Sequence, residues 1–230
     1  MYYMPKNSKD IVIVCGLRTG IGKHKGMWAK IQAHDLGKSV LKNILNQSKI
    51  DPASIDEVII GQVLTGGAGQ NPARQTAKGA GIPNEKTAYV VNQVCGSGLR
   101  AIVSGYQSIL LNDSKIVIAG GQENMSCSNN DMMLQDGLTD AFYNYHMGVT
   151  AENVAEKWNI SRNEQDNFAL SSQAKAQEAI KNKKFKDEIL NDKINQSFLD
   201  EHPRADVTIE SLSNLKPAFK KNGTVTVGNS

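Results

Sequence analysis

The stretch Thr87-Ala-Tyr-Val-Val-Asn-Gln-Val-Cys95-Gly-Ser-Gly-Leu-Arg-Ala101 decides the fold. An apolar, β-branched run stops at a cysteine, two glycines bracket a serine, and helical periodicity then continues to about Leu111. This is the pattern of a strand, a tight turn and a helix. A lone cysteine reads either as a small buried hydrophobe or, at such a junction, as a nucleophile, because the sulfur faces the positive end of a helix dipole and unpaired backbone N–H groups. Gly96 and Gly98 keep side chains away from the sulfur, so a flat, bulky electrophile can approach it.

Working outward, Asp10-Ile-Val-Ile-Val-Cys15 is a short apolar run that predicts a strand buried on both faces. From His34 to Gln47, Leu36, Val40, Leu41, Ile44 and Leu45 fall at helical spacing. Asp56 to Leu64 predicts a strand, and Gly66 to Pro72 a loop whose proline suits the first turn of a helix ending at Gly81. Tyr89 to Val94 is the next strand, and Lys115 to Gly121 the last. The order β-α-β-α-β-α-β predicts an α/β fold with a mixed, mostly parallel sheet. The helix after Cys95 carries Leu99, Ile102, Val103, Tyr106, Ile109, Leu110 and Leu111 around most of its circumference, so it needs burial on several sides.

Beyond Gly121 the texture turns polar, helical and loop-rich. Ser161-Arg-Asn-Glu164 is a capping box opening a helix with Phe168, Ser172, Ala176 and Ala179 along one stripe. The pattern from Phe185 to Ser230 predicts no clear elements, and no repeat stands out.

The chain has 230 residues, 40% hydrophobic and 21% charged, enough to bury a core without disulfides. A net charge of +3 is no nucleic-acid signature. The one dense basic cluster, Lys181, Lys183, Lys184 and Lys186, reads either as a solvated helix face or as a phosphate-steering patch. Cys15, Cys95 and Cys127 are odd in number and form no C-x-x-C pair, which argues against a disulfide framework and structural zinc and for a reducing, cytoplasmic setting. Residues 1–10 carry no apolar signal core, and no run is long enough to span a membrane.

Gly96-x-Gly98-x-x-Ala101 also fits a loose dinucleotide fingerprint, with Glu123 as the nearest acidic partner. It follows the wrong strand for that motif, which belongs to the first βα turn, and the match reads as accidental. Gly16 to Lys23 fails as a phosphate loop because Leu17 and His24 stand where glycine and serine or threonine are needed. None of His24, His34, His146 and His202 has metal-ligand spacing to another. His146 lies in Tyr143-Asn-Tyr-His-Met-Gly148, which reads either as pocket lining or as a locally satisfied loop.

Several stretches, in order, resemble the thiolase family, in particular its biosynthetic acetyl-CoA acetyltransferases. Asn92 to Ala101 resembles the acyl-enzyme motif; Gly61 to Leu64 and Gly69 to Gln75 resemble the dimer-side and active-site loops. Ala119 to Ser126, Asp136 to Phe142 and Tyr145 to Asn153 are similar to the entry into, and body of, the loop domain that holds coenzyme A. Leu215 to Phe219 and Gly223 to Asn229 resemble the return to the core. The resemblance implies three parts: an α/β core over 1–121, a shortened coenzyme A-binding loop domain over 122–222, and a truncated return strand over 223–230. It implies that Cys95 is acylated by acetyl-CoA, that two acetyl-CoA molecules give acetoacetyl-CoA and coenzyme A, and that the reverse thiolysis uses the same intermediate. Leu138, His146, Met147, Arg204, Ser211 and Phe219 match positions lining the coenzyme A pocket, although His202-Pro-Arg-Ala diverges around Arg204. No permanently bound cofactor or metal is implied, and coenzyme A enters as substrate. Neither a nucleic acid nor a membrane is an expected partner.

Two departures accompany the match. The family's second half supplies an Asn-Glu-Ala-Phe loop, a Gly-His-Pro histidine that activates the nucleophile, and a Cys-x-Gly cysteine that moves the substrate proton; these motifs do not occur in the 230 residues. The expectation is an N-terminal half, incomplete or inactive as it stands, with a separately encoded C-terminal half as a candidate partner; the alternative is a decayed or split remnant that at most binds coenzyme A. The stretch between Met125 and Met132 is also shorter than the family's by the loop that joins two dimers, and a second shortening precedes Phe198. The resemblance therefore implies a homodimer rather than a tetramer. Packed alone, the helix after Cys95 is expected to expose apolar surface.

Overall fold

The computed structural model describes residues 10–190 and 199–230. Its main elements are α1 (Ala33–Ser48), β1 (Glu57–Gly61), α2 (Pro72–Gly79), β2 (Thr87–Val91), α3 (Ser97–Leu110), β3 (Val117–Gly121), α4 (Asn130–Met132), α5 (Met147–Lys157), α6 (Arg162–Lys181) and α7 (Ile209–Ser213). The three strands pair in the order β2-β1-β3, both pairs parallel, with Ile59 opposite Tyr89 on one side and Ala119 on the other. The chain crosses from β1 to β2 in one direction, then back over β1 to β3 in the other. Right-handed crossovers of opposite direction put α2 and α3 on opposite faces of the sheet.

The side-chain alternation agrees. Val58, Ile60 and Ile118 face Leu41 and Leu45 of α1 and Ala73 and Ala77 of α2, forming the main core. On the other face α3 lies close: a Cβ added to Gly105 would come within 3.1 Å of Val117 and 3.4 Å of Ala119. Local chemistry fixes α2 at both ends. The Asn71 side chain accepts the Arg74 N–H and Pro72 takes the first turn. At the other end Gly81 adopts φ +97°, its N–H donates to Lys78 O, and that of Ile82 donates to Ala77 O, a Schellman closure on the expected glycine.

Three expectations are corrected. Residues 10–15 form no strand, so the order opens on α1; Val12, Ile13 and Val14 are 69%, 81% and 72% exposed. No strand among the described residues lies beside them to take up their backbone groups; the Cys15 thiol reaches Gln47 Oε1 at 3.8 Å, and the nearest backbone tie is the bridge from Arg18 to Ile189. Residues 223–230 form turns rather than a return strand, because the Thr224 and Val225 N–H groups go to the Glu152 carboxylate and that of Thr226 to the Asn229 side chain. The expected capping box at Ser161 is present; along the α6 stripe Phe168 and Ser172 are exposed and Ala176 and Ala179 half-buried, and the buried position of the helix is Asp166. Strand β2 stops at Val91, three residues short of expectation, for a reason that belongs to the site. As expected, α3 buries only Ser97, Ala101 and Gly105; Leu99 and Leu111 are each 70% exposed. The second shortening, before Phe198, falls outside the described residues.

Candidate active site

Cys95 is exposed, at the carboxyl edge of the parallel sheet, where open α/β folds place their ligands. Glycines set it there. A Cβ at Gly61, the last residue of β1, would overlap the backbone of Ser97 and Gly98, and one at Gly121, the last residue of β3, would come within 3.1 Å of Gly98 Cα. The first turn of α3 therefore rests on the strand ends main chain to main chain.

Between β2 and α3 the backbone folds into a tight clasp. Val94 has φ +49°, the left-handed region that ends any strand and that a β-branched residue enters only at a cost of about 1–3 kcal/mol. Among the described non-glycine residues in that region, Val94 alone is β-branched. The Asn92 Oδ1 accepts the Val94 N–H at 2.9 Å, and the Ser97 Oγ accepts the Gln93 N–H at 2.9 Å. The N–H groups of Gly96 and Ser97 donate to Gln93 O and Val94 O, each at 3.1 Å. This corrects the expectation that the N–H groups beside the sulfur are unpaired: two of the nearest hold the turn.

Glu123, the acid of the rival dinucleotide reading, is engaged elsewhere. Its carboxylate accepts the Val63 N–H at 2.8 Å and lies 3.4 Å from the Leu64 N–H, tying the end of β3 to the loop after β1. Burial pushes its pKa up, against the downward pull of those backbone donors. Beside it runs a buried polar chain that the sequence did not announce. Thr76 Oγ1 donates to Gln122 Oε1 at 2.8 Å, Gln122 Nε2 to Gln62 Oε1 at 2.9 Å, and Gln62 Nε2 to Leu64 O at 2.8 Å. A cavity of about 320 Å³ opens between Gln62, Asn71 and Asn92, and a second of about 180 Å³ between Gln62, Asn124 and Cys127; Cys95 lines neither. Burial pushes the Cys127 thiol up, and its sulfur faces the carbonyls of Ala29 and Ile31.

Of the residues expected to line a coenzyme A pocket, His146 and Phe219 come together. Their rings stack at 5.0 Å and 17°. His146 is also the N-cap of α5, its Nδ1 accepting the Gly148 N–H at 2.9 Å, and Met147 is the exposed first residue of that helix. Leu138 ends a single π-helical turn, and its neighbour Thr139 bridges to His146. Arg204 and Ser211 are held by other contacts: the exposed Arg204 donates its backbone N–H to Gln173 of α6, and the Ser211 hydroxyl closes a capping box with Thr208. Among the described residues no hydrogen bond or ring contact joins Cys95 to the His146–Phe219 pair. The lysines at 181, 183, 184 and 186 are all exposed, as a solvated face requires.

Fold and site together define an α/β protein that presents a cysteine on a glycine-packed helix start above the carboxyl edge of a parallel sheet. Residues 11–131 and 127–230 match the family described as "Thiolase, N-terminal domain". The chain is 46% identical over 246 residues to the acetyl-CoA acetyltransferase of Rhizobium meliloti (strain 1021), covering 97% of this chain and 62% of that protein. It is 48% identical over 240 residues to the enzyme of the same name from Paracoccus denitrificans, covering 95% of this chain and 61% of that protein. The crystal structure of the Bacillus anthracis acetyl-CoA acetyltransferase superposes with a TM-score of 0.86 at 35% identity, over 93% of this chain and 60% of that one. The chain belongs to the thiolase family. It spans about three fifths of the length of these relatives.

Proposed function

We propose that the chain carries the acyl-accepting half of a thiolase-type reaction, the transfer of an acetyl group from acetyl-CoA. Cys95 attacks the thioester carbonyl carbon; the bond to the coenzyme A sulfur breaks, coenzyme A leaves as a thiol, and the acetyl group stays on Cys95. This covalent step divides one hard acyl transfer into two easier ones. A second acetyl-CoA, deprotonated at its α-carbon, then attacks the acyl group, giving acetoacetyl-CoA and restoring the thiol. Thiolysis runs the same steps backwards. Leu138, His146, Met147 and Phe219 form the wall for coenzyme A, and Arg204 and Ser211 its further contacts.

The observation that carries this reading is the exposed Cys95 on its glycine seat, in a chain of this family. General acid–base groups contribute about 10²–10⁴-fold each, and the histidine and second cysteine assigned to proton transfer are not in the 230 residues. The reading therefore expects slow acylation of Cys95 by this chain, faster once the activating histidine is supplied, and carbon–carbon bond formation only with both groups present. It places residues 1–121 as the core, 122–222 as the loop domain and 223–230 as the return to the core, in a cytoplasmic homodimer. The two matched stretches meet at 127–131, where the tetramer-forming loop is expected to be shortened, and this supports a dimer. No described helix is long and apolar enough to cross a membrane.

Incubation with acetyl-CoA and peptide mass spectrometry tests the proposal. An acetyl adduct on Cys95, absent in C95S, is expected. No adduct, even with the C-terminal half of a relative added, removes the reading.

A further inference from the structure

One face of α5 carries Gly148, Glu152 and Glu156, four residues apart and so stacked turn over turn. All three meet one length of chain, residues 218–225. A Cβ at Gly148 would overlap the Phe219 ring, which therefore lies on bare backbone. Glu152, only 4% exposed, accepts the Thr224 N–H at 2.9 Å, the Val225 N–H at 2.9 Å and the Thr224 hydroxyl at 3.3 Å. A Cβ at Gly223 would overlap its carboxylate. Glu156 pairs with Lys220 at 2.9 Å. The loop closes on itself where the Ala218 N–H donates to Val225 O at 2.9 Å, and the next residue, Phe219, stacks on His146.

We infer that Glu152 is a positioning residue: by gripping Thr224 and Val225 it fixes the Val225–Ala218 bond, and through it the Phe219 ring that forms one wall of the coenzyme A site with His146. The inference rests on the reading above for the ligand that wall meets. A carboxylate suits the task because it is acceptor-only and offers both oxygens to the converging N–H and O–H donors. Glutamine would turn an NH₂ group toward some of those donors.

The test uses the whole 230-residue chain. Proton NMR of the His146 ring reads the stack directly, and F219L defines how much of its shift the phenyl ring causes. E152Q and E152D are each expected to remove at least about half of that ring-current shift. K220A, which breaks only the exposed pair, leaves it in place. If E152Q does not fold, E152D alone decides, since it keeps the charge and retracts it by one methylene. A native His146 shift in a folded Glu152 variant overturns the inference. Calorimetric titration with coenzyme A gives a second arm. E152D is expected to weaken binding about fivefold or more in the native background and less than about twofold in F219L, a coupling within the range of contacting residues. Equal losses in both backgrounds show a general structural effect and overturn the inference. A native chain that does not bind coenzyme A defeats the proposed function instead, and the NMR arm still decides the role of Glu152.

Discussion

The buried Ser97 hydroxyl donates to the Val94 carbonyl at 2.6 Å, fastening the residue before Cys95 to the residue that begins α3. The same oxygen accepts the Gln93 N–H, so one side chain holds a backbone that would otherwise relax. S97A leaves that N–H without its acceptor and is expected to cost about 1–3 kcal/mol. V94G removes the left-handed penalty of about 1–2 kcal/mol but adds glycine's chain entropy of roughly 0.5–1 kcal/mol, so it is expected to be neutral or slightly stabilising. In the V94G background S97A should cost less. Urea unfolding of the four proteins checks the cycle; additive losses oppose it.

The outer face of α3 predicts self-association. Leu99, Leu110 and Leu111 are all exposed, and each forgoes half or more of the about 1.5–3 kcal/mol that full burial contributes. That is a large share of an ordinary stability of about 5–15 kcal/mol. The native chain should sediment as aggregates or oligomers, and L99E/L111K should shift it toward monomer. A native chain that is monodisperse and melts cooperatively above about 50 °C opposes this.

Acid should loosen the clasp at Arg18. Its guanidinium bonds Asp200 at 2.7 and 3.1 Å and Glu188 at 2.7 Å, and its own pKa is raised chiefly by the Asp200 bond, against burial. Burial pushes the Asp200 carboxyl up, but the Arg18 bond and charge and the Ile21 N–H outweigh it and hold the carboxyl below its ordinary value. A carboxyl lowered on folding contributes stability that is complete above its unfolded value, near pH 4, and is lost as pH falls through the lower folded value. Trp28, buried beside this loop with its indole N–H on Gly20 O at 2.8 Å, reports it. In a W158F background its emission should shift to the red below about pH 4. D200N should show the shift already at neutral pH.

Breaking the buried polar chain should be costly without touching the site. T76V takes away the hydroxyl that donates to Gln122 Oε1 and is expected to cost about 1–3 kcal/mol. Q122L leaves the Thr76 hydroxyl its bond to His34 O at 3.2 Å but strands the buried Gln62 Oε1 and puts an apolar side chain in the middle of the chain, so it should cost more. Denaturant midpoints rank the two, and a smaller loss for Q122L contradicts the argument.

The sheet and its helices were legible because each of their signals is local: the apolar runs of β1 and β3, proline and glycine at the ends of α2, the serine-to-glutamate box of α6. What failed depended on distant partners. Residues 10–15 have the composition of a buried strand, but a strand exists only beside another strand, and composition carries no account of neighbours. The turn at Val94 was hidden because valine is among the best strand formers, and what holds it in the left-handed region is the Ser97 and Asn92 side chains together with the backbone bonds of Gly96 and Ser97. Cys95 stood out from its strand–turn–helix setting and its glycines, and His146 and Phe219 through the resemblance. Glu152 was not, although its place four residues after Gly148 and a glycine opposite it at 223 were signals that could have been read together.

The glycine seat under α3 has one more consequence. Because Gly61, Gly98 and Gly121 meet through main-chain atoms, the height of the sulfur over the sheet is a backbone dimension, indifferent to which side chains decorate the helix. Substitutions on the exposed face of α3, at Leu99 or Leu110, can retune solubility or partnership, whereas a single methyl group at Gly61 would lift the Cys95 sulfur off its perch.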